Sequence, residues 1–398
     1  MHQEARKRYN QSFSEEKYKQ LLNAVETDYP GQLDFRVAET PVFVPKDLKN
    51  KLIEACEEII ETIVSEDFKT KTDRAIPNGQ HVPNENAHSS FLAIDFAVCK
   101  DEHGELTPQL IELQGFASLY GYQAYISEMF RKYFPVPDNF QYAFGTSDFD
   151  HYVENLKSLI VADENPEQVI ILEIYPEKQK TRIDFVITEK LLGVKAICYT
   201  KLIKEGRQLF YEKNGRKIQI RRIYNRLIFD DLENYPDLET SYHFTDDVDV
   251  TWVGHPNWFF RISKYTLPLL KSKYIPETKF VSDFQGKFPS DLENYVLKPL
   301  FSFAGTGVQL HVTNEMLAEL PDPENYILQK KVIYEPVVQA PDGLVKCEIR
   351  MMYSWPDKDS RPALLTSLSR LSRGEMIGVR FNKDFTWVGG TACFFDKN

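Results

Sequence analysis

At 398 residues and 42% apolar composition the chain is too long for one ordinary core, so two or three domains are expected. Its 27 Phe, 21 Tyr and 4 Trp exclude a disordered chain, and 48 basic against 59 acidic residues, net −11, argue against a broad nucleic-acid footprint. Five scattered cysteines (Cys56, Cys99, Cys198, Cys347, Cys393) with no C-x-x-C argue against a disulfide framework or structural zinc. The polar start and the lack of any apolar run near the roughly 20 residues of a membrane span add to this, and a cytoplasmic protein is expected.

Residues 1–75 read as helical. Within them Leu48–Val64 sets Leu48, Leu52, Ile53, Cys56, Ile59, Ile60 and Ile63 at helical spacing, a packing face without chemistry. Residues 76–90 are a polar loop. Two strand-like runs follow, Phe91–Cys99 and Pro108–Gln114, separated by the turn residues Asp101-Glu102-His103-Gly104, so a hairpin is expected. Gly115–Tyr133 reads as a helix. Gln168–Tyr175 is nearly continuous in apolar residues, as in a strand buried on both faces. A helix over Thr181–Leu192 and a strand over Lys195–Tyr199 complete a β-α-β rhythm, hence an α/β layer. Asn214-Gly215 predicts a hairpin between Gln208–Glu212 and Lys217–Arg221. Residues 227–251 carry eight acids and no Lys or Arg, which reads as a solvated linker. A helix near Ile262–Lys271 and mostly strands occupy the remainder.

Three segments could carry chemistry. In Tyr295–Val312 a strand bearing Lys298 leads into a loop with Ser302, Gly305, Thr306 and Gly307, then another strand. Glycines let backbone N–H groups approach an anion, and a lysine supplies a point charge; a plain hairpin with a flexible turn has the same pattern. In the first hairpin, a register symmetric about His103/Gly104 sets Asp95 opposite Glu112 and Ala93 opposite Gln114. Asp95, Glu112 and Gln114 then share a face, and two facing carboxylates repel unless a hard cation such as magnesium lies between them. A different register would send one carboxylate to solvent. The third segment holds Glu348-x-Arg350, then Arg370, Arg373, Arg380 and Asn382, then Gly389-Gly390. None of the eight histidines lies in a recognisable metal or triad pattern.

Lys298, the Ser/Gly loop, the strand end Tyr326–Val332, Glu348-x-Arg350, Arg380-x-Asn382 and Gly389-Gly390 follow the order of the ATP-grasp superfamily. Lys264 resembles that family's earlier ATP lysine. The family's closing metal strands are absent after residue 390, but AIDFAVCKDEHGELTPQLIELQGFASLYGYQ resembles them, with Gln114 where the pattern has Asn. The chain therefore resembles a circularly permuted ATP-grasp protein of the glutathionylspermidine synthase-like type. The implied fold is α+β. It comprises an N-terminal helical segment (1–80), a permuted metal hairpin with helices (81–160), a small α/β domain of the kind that precedes the ATP-grasp region (161–250) and nucleotide-binding lobes (251–398).

The resemblance further implies ATP with one or two magnesium ions. Lys264 and Lys298 would contact phosphates, under a lid of Ser302, Phe303, Ala304, Gly305, Thr306 and Gly307. The hinge Gln329, Lys330, Lys331 and Val332 would meet adenine and Glu335 the ribose. Asp95, Glu112 and Gln114 would hold metal, and Arg350, Arg380 and Asn382 would face the transferred phosphoryl group. The implied reaction joins a small-molecule carboxylate to an amine through an acyl phosphate; a small-molecule kinase and a non-catalytic ATP binder are the alternatives. Tyr224-Asn225-Arg226 ends an apolar strand, where Arg226 could reach an anionic substrate or stay at the surface.

Overall fold

The first 75 residues are helical with one strand that their periodicity does not announce. In the computed structural model, which describes residues 1–116, 118–301, 307–374, 377–378 and 382–397, helices α1 (Gln3–Ser12) and α2 (Glu15–Asp28) begin at side-chain caps. The His2 ring accepts the Ala5 N–H and the Ser14 hydroxyl the Lys17 N–H, each satisfying an orphan donor of a helix start. Strand β1 (Val42–Val44) lies between prolines and precedes α3 (Lys46–Ile63). Helix α3 buries Leu48, Leu52, Cys56, Ile59, Ile60 and Ile63, the stripe that its three- and four-residue spacing creates.

The hairpin is formed by β2 (Phe91–Lys100) and β3 (Leu106–Gln114). Near the turn, Cys99 faces Thr107 and Lys100 faces Leu106, so the turn centres on His103 and not on the His103/Gly104 bond. A bulge at Ile111 then shifts β3 by one residue. Asp95 consequently stands opposite Glu112, and Ala93 opposite Gln114. The next helix, α4 (Tyr120–Tyr133), starts later than its periodicity predicts because Leu119 adopts a left-handed φ of 65°. Helix α5 (Phe149–Ile160) leads into the α/β layer.

That layer contains β4 (Val169–Glu173), α6 (Arg182–Leu192), β5 (Lys195–Cys198), β6 (Arg222–Asn225) and β7 (Thr251–Val253). The four strands are parallel in the order β7–β6–β4–β5, and β4 is buried throughout. The Asn214-Gly215 turn has φ of 52° and 72°, as a two-residue hairpin turn demands, and belongs to a separate three-stranded sheet. The acidic stretch 227–251 is more than a solvated linker. Tyr242, Phe244 and Val248 are buried in the α/β core while the acids between them face outward.

A third layer has β8 (Thr278–Phe280), β9 (Tyr295–Pro299) and β10 (Tyr326–Lys330) in the order β8–β10–β9. The helix expected near Ile262–Lys271 is a short α-helix, Pro256–Arg261, followed by a 3-10 turn, Lys264–Leu269; Pro268 has no N–H with which to continue a longer helix. The strand expected after Gly307 reduces to one bridge between Leu297 and Gln309.

The chain then returns to its first sheet with β11 (Gly343–Ser354), β12 (Ala363–Ser372) and β13 (Gly389–Asp396). The order is β1–β13–β12–β11–β2–β3, and Pro336–Ala340 and Phe140–Gln141 complete eight strands. One hydrophobic core joins the N-terminal helices, the hairpin and these late strands. Among the described residues no helix is long and apolar enough to cross a membrane.

Candidate functional site

Strand pairing builds a row of charge across the middle of the large sheet. Asp95 on β2 faces Glu112 on one side and Arg350 of β11 on the other, and Glu348 faces Arg370 of β12. Residues two apart on a strand share a face, so Glu348 and Arg350 project together. Arg350 donates through Nε and Nη2 to the two oxygens of Asp95, both at 2.6 Å, and Arg370 Nη2 adds a bond to Asp95 at 2.8 Å. Arg370 Nε also donates to Glu348 at 2.7 Å, and the Tyr334 hydroxyl donates to the other oxygen of Glu348 at 2.7 Å. Glu112 lies 3.8 Å from Arg350 and accepts from the Gln114 amide at 3.0 Å.

The two buried acids behave oppositely. Burial pushes the Asp95 carboxyl up, but Arg350 and then Arg370 prevail and hold it below the usual range. For Glu348 burial wins over Arg370, and its carboxyl is raised.

Lys298, on β9, reaches this row from 187 residues away. Its ammonium donates to the Ile111 carbonyl at 3.3 Å, at the hairpin bulge, and to the Gln329 side chain at 2.6 Å. Desolvation lowers it to about 8, although Glu112 opposes the shift. Lys264 is lowered in the same direction by burial, opposed by Glu112 and Asp230. Gln329 is buried, and its Nε2 has no acceptor among the described residues.

The other expected positions are distributed less tightly. Lys331 donates to the Glu293 carbonyl, Lys330 is exposed, and Val332 lines a separate shallow cavity beside it. Glu335 pairs with Lys100 at 2.6 Å. Gly307 has φ of 73° beside Pro299. Asn382 is buried and spends its amide on a loop: its oxygen accepts from Ser372, Arg373 and Gly374, and its nitrogen donates to Gly378. Ser302, Phe303, Ala304, Gly305, Thr306 and Arg380 lie outside the described residues.

A cavity of about 580 Å³ opens over the charge row. Glu112, Gln114, Lys264, Arg350 and Arg370 line one side of it. The α/β layer lines the other with Glu173, Arg226, Asp230 and Asp231. Glu173 ends β4 and Arg226 follows the adjacent β6, at the carboxyl ends of parallel strands where open α/β sheets take their ligands. Burial raises Glu173 to about 8, against the pull of Arg226. Arg226 is 4% exposed and donates to Asp184 at 2.9 Å, so it is an interior residue rather than a surface one.

Sequence reasoning named Arg370 in its third segment without giving it a role, and it missed Glu173. The signal for Arg370 is an arginine on one face of a strand otherwise made of small and apolar residues, Leu364–Leu371. For Glu173 it is an acid at the end of a fully buried strand.

A metal can be tested against these donors. Among the described residues no three His, Cys, Asp or Glu side chains group to hold an ion. Both Asp95 oxygens are engaged by guanidinium groups. Glu112, with its side chain 31% exposed, and Gln114 do face the cavity with a carboxylate and an amide oxygen. Magnesium is commonly held by one or two carboxylates with substrate phosphates completing its shell, and this pair fits that use.

No protein-family model and no curated protein matches the chain. Among solved structures it is similar to a glutathione synthetase-like effector from Globodera pallida in its apo form. The TM-score is 0.60 at 10% sequence identity, over 96% of this chain and 96% of that one. The two share a mixed α and β fold.

Proposed function

We propose that the chain is a circularly permuted ATP-grasp ligase that joins a small-molecule carboxylate to an amine at the expense of ATP. The observation that carries this reading is the meeting of Lys298 with Ile111, next to Glu112. Two segments far apart in sequence thus bring a lysine close to the strand that carries Glu112, whose charge acts on it, which supports a shared phosphate and metal site. The fold likeness to a glutathione synthetase-like protein supports it at the level of architecture.

In this reading Lys264 and Lys298 bind the ATP phosphates. Gln329 to Val332 and Glu335 serve the nucleoside. Magnesium, when bound at Glu112 and Gln114, supplies charge neutralisation on the phosphates. Arg350 and Arg370 orient the transferred phosphoryl group, since guanidinium forks match its equatorial oxygens. A substrate carboxylate oxygen attacks the γ-phosphorus and ADP leaves. The amine nitrogen then attacks the acyl carbon, loses a proton, and inorganic phosphate leaves. The protein contributes positioning and charge, as phosphoryl transfer requires. The α/β wall with Glu173 and Arg226 receives the acceptor side of the reaction.

Hydroxylamine trapping tests this. With ATP, magnesium and a panel of amino acids and dicarboxylates, ADP release coupled to hydroxamate formation is expected. ADP release with a phosphorylated alcohol and no hydroxamate would replace the ligase by a kinase.

A further inference from the structure

The resemblance assigns Asp95, with Glu112 and Gln114, to one or two magnesium ions, but the side chains divide that labour differently. Asp95 is 1% exposed, and three guanidinium N–H groups close on its two oxygens at 2.6, 2.6 and 2.8 Å. Stripping a buried carboxylate of two fixed cations leaves uncompensated charge in the interior, which is strongly unfavourable. The same network is open on its other side. Arg350 and Arg370 both line the cavity, and the Nη1 of neither has an acceptor among the described residues. Glu348, tied in turn to Tyr334, fixes the Nε of Arg370 from behind. Two cavity-lining guanidinium groups whose Nε and Nη2 are held by buried acids keep further donors, an arrangement suited to a phosphoryl or carboxylate oxyanion. Only Glu112 and Gln114 remain as oxygen donors of the hairpin facing the cavity.

We infer that Asp95 is a positioning residue and not a metal ligand: it fixes Arg350 and Arg370 as a two-arginine oxyanion subsite, and the site takes one divalent cation instead of two. The cation count rests on the ligase reading; the oxyanion subsite rests on the side-chain geometry alone.

Two measurements on the full chain separate these. Calorimetry with inorganic tripolyphosphate, without metal, reads the subsite. Arg370→Gln, at a side chain 38% exposed, is expected to fold and to weaken binding roughly tenfold or more, as the loss of charge-assisted bonds implies. No binding by the wild-type chain, or equal affinity in the variant, overturns the subsite. Electron paramagnetic resonance with Mn²⁺ and a non-hydrolysable ATP analogue counts cations. One tight ion per chain is expected, retained in Asp95→Asn and lost in Glu112→Gln. Two tight ions or none in the wild-type chain, or loss of the ion in Asp95→Asn, overturns the assignment; the wild-type count decides should Asp95→Asn not fold. Tripolyphosphate binding that depends on Arg370, in a chain that binds no nucleotide, would leave the subsite standing and remove the ligase.

Discussion

Lys298 sits where desolvation lowers its ammonium from the ordinary 10.5 to about 8, with Glu112 partly compensating. Two pH effects of opposite sign follow. Between about 8 and 10.5 the unfolded chain holds a proton that the folded chain has released, so this residue makes stability rise with pH over that window. Over the same window the cation that would meet a phosphate is lost. Nucleotide affinity is therefore expected to fall about tenfold from pH 7 to pH 9.5, beyond any trend in a Lys298→Met variant. That variant is expected to bind weakly at every pH while unfolding at no lower temperature than the wild-type chain at pH 7, because a desolvated charge has been removed. Fluorescence titration of a labelled ATP analogue, with thermal unfolding in parallel, checks both. A pH-independent affinity in the wild-type chain would remove Lys298 from the phosphate site. Its neighbour Gln329 shows where residue-level reading ends: the glutamine is visible in the sequence, but its bond to Lys298 depends on β9 and β10 pairing antiparallel, Val296 opposite Gln329.

The elements were legible where a local period or turn signal fixes them. Leu48–Ile63, Val169–Glu173 and the Asn214-Gly215 hairpin each carry such a signal. The Asp95–Glu112 pairing was reached by assuming strict symmetry about the turn, whereas the chain reaches it through a bulge. The trace of that bulge is that Leu110 and Leu113, three apart, are both buried on one strand. Gly389 is another case of long-range control. It stands in the Gly-Gly pair of the family-like motif order, and an immediate packing reason exists for it. Gly389 has φ of 125°, and a Cβ there would lie 2.5 Å from the Arg36 carbonyl, because residues 36–38 run along β13 with Arg36 and Ala38 bonded to Gly390. Neither the left-handed φ nor the crossing backbone can yield cheaply. Gly389→Ala is therefore expected to destabilise the chain by about 2–4 kcal/mol, read as a lower urea midpoint at unchanged slope. A variant as stable as the wild-type chain would mean that residues 36–38 do not lie against β13.

At the scale of the whole molecule, both ends of the chain build one sheet. β1 runs parallel to β13, Val42 opposite Cys393, and the His2 ring is 3.8 Å from Asp396. No local signal could announce this: Val42-Phe43-Val44 is three residues between prolines, and its partner lies at the far end of the sequence. The central ion pair, Asp95 with Arg350, likewise spans 255 residues, and the motif order, which set Asp95 on metal and Arg350 on phosphate, did not announce it. If the architecture resides in these contacts and not in the connectivity, the chain order is adjustable. Joining Asp396 to His2 through a short glycine–serine linker and opening the chain between Asp163 and Glu164, in a turn beyond α5, leaves every strand and helix intact. The product would run α/β layer, the β8–β10 layer, the late strands β11–β13, then the N-terminal helices, the Asp95–Gln114 hairpin and finally α4 and α5. It is expected to fold to the same circular dichroism spectrum and to keep its analogue affinity within about threefold. It also shortens the path from Asp95 to Arg350 to well under the present 255 residues, so the loop that must close before β2 pairs with β11 is smaller. Closure entropy falls slowly with length, on the order of 0.6 kcal/mol per halving, so where this pairing limits folding the permutant should refold about twofold to threefold faster. Slower refolding with native-like stability would place the rate-limiting step elsewhere, and a permutant that does not fold would show that the connection at residues 163–164 is itself part of the fold.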